Sequence, residues 1–228
     1  MCSRFDQAKE PDGVAIPQTS PRGKYPRYNI GIGDTAIILL HTNAGVNYCE
    51  GRFGVQTSYG VLYNARLEGD LNPDNNTDFQ GPAGIFDKPA YARLIRHQRC
   101  AIPVTGFYEG PKDKGLREPY HFRLPGEACF WLGGLYQTYR HPKTQAMIQG
   151  FIIITMAALP VTAQIGHHRC PFILQNSWVN AWLHPHTPPS DIEYFLLHRY
   201  DPGNWQCRKT HPAYLKERNQ LTGPLYIN

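Results

Sequence analysis

The 228-residue chain lacks any apolar run fit to cross a membrane: its longest, "FIIITMAALP", is about half of the roughly 20 residues a spanning helix needs. Its opening "MCSRFDQ" carries an arginine and an aspartate and no apolar core, which argues against a secretory leader. There is no Cys-x-x-Cys pair, so a zinc knuckle is not expected. The six cysteines, at 2, 49, 100, 129, 170 and 207, are irregularly spaced and read as reduced thiols of a cytoplasm rather than three disulfides. "HHRC" offers metal-ligand types, but neighbours on a strand point to opposite faces, and no metal or cofactor is expected. No repeat or low-complexity tract breaks the chain. Lysine is scarce beside arginine, 8 against 15, in a chain of net charge +5. Arginine's planar fork suits phosphate, although a solvated surface explains so small a basic excess equally well. "GIGDTA" lacks the third glycine and the Lys-Ser/Thr of a phosphate loop and precedes a strand, so it is set aside.

Glycine and proline are plentiful, 21 and 20 residues, and point to strands joined by many turns. Residues 7–35 read as a loop. "TAIILLHT" and "YCEGRFGVQTSYG" read as strands, and "LNPDNNTDFQGPAG" as a surface loop. "FDKPAYARLIRHQ" predicts a short helix capped by Asp87 with Pro89 in its first turn. "RCAIPVTGFYEG" predicts a strand running into a turn. "PYHFRL" predicts a half-buried strand with Tyr120, Phe122 and Leu124 inward and His121 and Arg123 outward. "ACFWLGGLYQTY" and "QGFIIITM" predict central strands, "CPFIL" a short one, and "NSWVNAWLHP" a helix. "PSDIEYFLLH" predicts a second helix, with Ser190 and Glu193 forming a capping box. The expected fold is a single α+β domain over residues 1–228, a mainly antiparallel, curved, barrel-like sheet with a few flanking helices.

Four stretches concentrate reactive groups beside strand-like sequence: "CSRF", "NARLEG", "GFYEG" and "GHHRCP". If Met1 is removed, Cys2 carries a free thiol and a free α-amine. This 1,2-aminothiol condenses with an aldehyde to an imine and closes a thiazolidine ring. Each piece also has a plain reading: a disordered terminus at Cys2, a turn at Asn64, a solvated Glu109, satisfied surface histidines at 167 and 168.

In order and spacing the four stretches resemble the SOS response-associated peptidase (SRAP) domain of the abasic-site processing proteins. Met1-Cys2-Ser3-Arg4-Phe5 matches that family's opening, and "RYNI" follows at 27–30. Asn64-Ala65-Arg66-Leu67-Glu68, "RCAIPVTGFYEG" ending at Glu109-Gly110, and His167-His168-Arg169-Cys170-Pro171 match the rest. The resemblance implies a protein that binds single-stranded DNA in the damage response and captures the ring-opened abasic site through Cys2. It implies catalytic roles for Cys2, Asn64, Glu109 and His167. Asn64 would position the amine or sugar, Glu109 would shuttle protons if its pKa is raised, and His167 would act as an acid. The family's peptidase activity would be limited to removal of Met1, and lyase cleavage from the imine is an expected side reaction. Arg4, Arg66 and Arg169 lie within two residues of these groups and are expected to grip DNA phosphates. Phe53 and Tyr108 are candidates for base stacking or for the core.

Departures from the family pattern fall mostly on stacking groups: Ser3 for glycine, "YNIGIG" for Tyr-Asn-Ile-Ala-Pro, Phe53-Gly54 for Trp-Gly, Gly110 for tryptophan, Cys170 for methionine. The departures thus bear on DNA contacts, while the expected catalytic groups are all present. The expected protein is a cytoplasmic monomer of a bacterium or phage, at the nucleoid during damage, with no membrane partner. Two other functions stay open from sequence: a cysteine hydrolase using Cys2 and His167, and a non-covalent single-strand binder.

Overall fold

In the computed structural model, residues 2–9 and 26–227 are described. Met1 and residues 10–25, which include much of the loop expected over 7–35, lie outside them. The first half contains β1 (Arg4–Gln7), β2 (Arg27–Gly31), β3 (Thr35–Thr42), β4 (Gly45–Phe53), β5 (Val55–Thr57), β6 (Gly60–Leu62) and β7 (Asn64–Arg66). There follow α1 (Ala92–His97), β8 (Arg99–Val104), β9 (Gly106–Glu109), β10 (Tyr120–Arg123), β11 (Phe130–Arg140) and β12 (Met147–Ala157). The chain then forms α2 (Pro160–Ala163), β13 (Arg169–Pro171), β14 (Ile173–Leu174), α3 (Val179–Leu183), α4 (Pro189–His198) and β15 (Gln206–Lys209).

Strands β12, β4, β3, β8 and β11 follow one another around a ring, and the β11–β12 hairpin closes it into a five-stranded barrel. All these pairings are antiparallel except β4–β12. The α+β fold with a curved, mainly antiparallel sheet is therefore the one observed. Closure leaves no free edge on those strands. β3, "TAIILLHT", has five consecutive buried residues, the mark of a strand covered on both faces. β7 and β13 extend the ring by pairing with β12.

A second antiparallel sheet, in the order β15-β10-β9-β1-β2, lies against the barrel. The stretch "RCAIPVTGFYEG" links the two: it forms two strands in different sheets, with its corner at Thr105. β1 carries the amino terminus into this junction. Phe5 enters the core against Phe53 and Phe151, at centroid distances of 5.5 and 6.3 Å. Gln7 fills a gap left by proline. β3 and β8 share only the Leu39–Ala101 pair, and Pro103 has no N–H to continue the ladder. The Gln7 amide donates to Ile37 O (2.7 Å) and Pro103 O (2.9 Å) and accepts from Ile37 N (2.9 Å).

Three local expectations are corrected. Asp87 does not cap α1: it ends a 3-10 turn, Lys88 is extended as the residue before a proline must be, and the helix begins at Ala92. Ser190 and Glu193 make no capping box. Pro188 and Pro189 fix the backbone and start α4 two residues earlier than a Ser190 cap would, and Glu193 accepts from Ala83 N instead. His121 points inward, not outward, because Asp6 Oδ2 lies 3.0 Å from its Nε2 and Tyr226 Oη 2.9 Å from its Nδ1.

Candidate active site

Cys2 precedes β1, which is fixed by Phe5 and Gln7, so the thiol's place follows from packing three to five residues away. It is fully buried. Asn64 opens β7, paired in parallel with β12 (Asn64 beside Ile153), and Tyr91 Oη donates to its carbonyl at 3.0 Å. From there Asn64 Nδ2 donates to Cys2 O at 2.9 Å and to Tyr63 O at 3.0 Å. Asn64 Oδ1 is buried without a partner among the described residues, an open acceptor beside the amino terminus.

Glu109 ends β9 and His167 follows α2; both are buried, and Glu109 Oε2 lies 3.3 Å from His167 Nε2. Burial disfavours charge on both, in opposite senses. It raises the Glu109 carboxyl to about 7 and lowers the His167 imidazole to about 4. Both shifts favour the uncharged forms, a protonated carboxyl group at Glu109 and a neutral imidazole at His167. Burial, and next the Glu109 charge, hold the Cys2 thiol well above its ordinary range. Buried Cys170 is near enough to add to that effect, and its own thiol is pushed up by burial to about 12. Cys2, Asn64, Glu109 and His167 therefore meet in one place from four separate segments.

Gly110 follows Glu109 for a steric reason. A Cβ there would collide with Gly115 O, because the next loop folds back on Gly110 and Lys112 N donates to Gly166 O. No tryptophan fits.

The three arginines have different fates. Arg4 is half-buried, and its Nη1 has no hydrogen-bond partner among the described residues. Arg66, also half-buried, donates to Asn72 O and to Asn75 Oδ1. Arg169 is only 2 % exposed: it donates to Glu68 Oε2 at 2.9 Å, Thr155 O at 2.7 Å and Asn75 Oδ1 at 3.2 Å. Its guanidinium is thus turned to a buried carboxylate in the same motif as Asn64. Phe53 and Tyr108 are both fully buried and belong to the core.

Sequence reasoning missed Asn75, which ties Arg66 to Arg169, and Asp6, which gathers Tyr108 Oη (2.9 Å), Asn29 N (2.7 Å) and His121 behind β1. Asn75 lay in a stretch read only as loop. A lone aspartate in a strand gave no sign that three partners would converge on it.

A family model, SOS response associated peptidase (SRAP), matches residues 1–213. The abasic site processing protein YoqW of Bacillus subtilis is 25% identical over 220 residues, covering 91% of both chains. YoaM of the same organism, also called an abasic site processing protein, is 26% identical over 91% of this chain and 89% of its own. The Gallus gallus abasic site processing protein HMCES is 24% identical over 73% of this chain and 56% of its own length. Among solved structures, a Bacteroides thetaiotaomicron protein superposes with a TM-score of 0.72 at 19% identity over 95% of both chains. A phage-related protein of Bordetella bronchiseptica does so at 0.66, with 19% identity over 91% of this chain and 93% of its own. At that identity the structures speak for the fold.

Proposed function

This chain belongs to the SOS response associated peptidase (SRAP) family, and from that premise we propose that it processes abasic sites in single-stranded DNA by capturing them on Cys2. The observation that carries the reading is the 2.9 Å hydrogen bond from Asn64 to Cys2 O beside the buried Glu109–His167 pair. An amino-terminal thiol is held next to a carboxyl group whose proton exchanges near neutral pH. The names of the relatives, abasic site processing proteins, support the same substrate.

Removal of Met1 gives Cys2 a free α-amine, a group with an ordinary pKa of about 7.7–8.0. The amine adds to the aldehyde of the ring-opened sugar, and the carbinolamine loses its hydroxyl as water to leave an imine. The Cys2 sulfur then bonds to the carbon of this imine, which is formed still protonated on nitrogen, and the C=N electron pair returns to nitrogen, closing the thiazolidine. One water leaves in all, and nothing is oxidised or reduced. Protonated Glu109 donates to the departing hydroxyl; the carboxylate this leaves takes the thiol proton and is restored to the acid. Because burial holds the thiol protonated, the amine acts first and ring closure needs that base. His167, neutral at working pH, orients the carboxyl group. Asn64 holds the Cys2 backbone, and its open Oδ1 accepts from the amine. β-Elimination of the 3′ phosphate from the imine is the proposed lyase side reaction. Arg4 and Arg66 are the proposed phosphate contacts.

Denaturing electrophoresis with a single-stranded oligonucleotide carrying one abasic site tests the reading. A heat-stable shifted band is expected without reductant, absent with Cys2→Ala and with undamaged DNA. A Cys2→Ala band equal to wild type would overturn it.

A further inference from the structure

The second sheet buries both of its faces. Phe5, Phe107 and Phe122 lie on one, within the main core. Neighbours on a strand point to opposite faces, so Asp6, Tyr108 and His121 share the other. There the buried Asp6 carboxylate gathers three partners: Oδ1 accepts from Asn29 N at 2.7 Å, and Oδ2 accepts from Tyr108 Oη at 2.9 Å and lies 3.0 Å from His121 Nε2.

Each partner comes from a different strand. In β2, Phe5 pairs with Ile30 and Gln7 with Arg27, so two residues face Asp6, and Asn29 turns to φ 54. Asp6 takes the N–H that this bulge frees from the ladder. Tyr108 in β9 is the residue before Glu109. Burial, and next the Asp6 charge, hold its hydroxyl well above the ordinary range, so it donates. His121 in β10 stacks on Tyr108, ring centroids 4.6 Å apart. It reaches Asp6 by crossing Gly106, where any Cβ would collide with its Nε2.

The segment after β15 completes the cluster. His211 N donates to Leu225 O at 2.8 Å and Ile227 N to Lys209 O at 3.0 Å, while Gln220 and Tyr28 exchange two backbone bonds of 2.9 Å. One segment thus covers both edge strands, β15 and β2. Its Tyr226 Oη lies 2.9 Å from His121 Nδ1. The family match ends at residue 213, so Tyr226 stands outside it.

Asp6 follows Cys2 by four residues, and Tyr108 adjoins Glu109. β1 and β9 meet in only two register pairs, Phe5 with Phe107 and Asp6 with Gly106. So short a ladder leaves the side chains to fix one strand on the other. We propose that Asp6 is a positioning residue for capture: it sets the Cys2 strand against the Glu109 strand, and Tyr226 steadies it through His121. The proposal rests on the capture reading, with Glu109 as the acid.

The test compares wild type, Asp6→Asn, Tyr226→Phe and the double variant in single-turnover capture of abasic single-stranded DNA, across protein concentrations. Asn keeps the shape of Asp6 and Phe the ring of Tyr226, and circular dichroism checks that each variant is folded. Asp6→Asn is expected to lower the maximal rate about 10- to 100-fold, with the half-saturating protein concentration unchanged. Tyr226→Phe should lower it about 2- to 10-fold, and the double variant should be no slower than Asp6→Asn, as residues on one path require. Alkylation of Cys2 in the DNA-free protein, read by peptide mapping, should be faster in Asp6→Asn than in wild type. Wild-type maximal rates and Cys2 alkylation in the folded single variants would overturn the positioning role and leave the capture reading standing. If Asp6→Asn does not fold, an unchanged rate in Tyr226→Phe overturns it alone. No adduct from the wild-type protein would overturn both.

Discussion

Glu109 Oε2 and His167 Nε2 lie 3.3 Å apart in a buried pair whose members are pushed toward their neutral forms, the carboxyl to about 7 and the imidazole to about 4. An exposed pair at this distance would settle as an ion pair. Here desolvation outweighs the attraction, and the proton stays with the carboxyl group until near neutrality.

This pair makes stability depend on pH in two opposing ways. Glu109, raised above its unfolded value of about 4.3, contributes stability at low pH that is lost as pH rises toward about 7. His167, lowered below about 6.5, contributes stability at high pH that is lost as pH falls toward about 4. In wild type the two slopes largely cancel. Glu109→Gln should become more stable from pH 4 to 6.5, and His167→Gln less stable from pH 4.5 to 7. Urea melts across that range check the signs.

Removing the carboxyl group should slow adduct formation more than binding. Glu109→Gln is expected to reduce the capture rate about 10²- to 10⁴-fold, with unchanged affinity for undamaged DNA. The residual rate should also lose the wild-type inflection near pH 7. Single-turnover time courses at several pH values provide the check.

Arg66 and Arg169 are neighbours in one network, yet their substitutions should read out differently. Arg66→Ala is expected to lower the salt slope of single-strand binding by about 0.7, as loss of one phosphate contact would. Arg169→Ala leaves Glu68 buried and uncompensated, and should cost about 3–5 kcal/mol of stability. Salt titrations and denaturant melts separate the two.

Gln7 should matter for the site through the fold. Gln7→Ala leaves Ile37 N, Ile37 O and Pro103 O without their partner and is expected to destabilise by about 1–3 kcal/mol. Equilibrium unfolding gives the value.

The barrel strands were legible because their runs, such as "TAIILLHT", are apolar and β-branched. The site motifs were legible through their order along the chain. What sequence did not reveal depends on partners distant along the chain. His121 alternates like a surface residue and turns inward only because Asp6 and Tyr226 converge on it. Arg169 sits among reactive groups but is held by Glu68, 101 residues away. Asp87 has the right type for a cap but stands before a Lys-Pro pair that keeps the backbone extended.

The most direct measurement is the intact mass of the DNA adduct after denaturation and exhaustive thiol alkylation. The chain has six cysteines, all free thiols in the fold. Capture as a thiazolidine predicts protein lacking Met1 plus oligonucleotide minus one water, with one alkylatable thiol fewer than the free protein. An adduct with every thiol still alkylatable, or one retaining Met1, would contradict ring closure on Cys2.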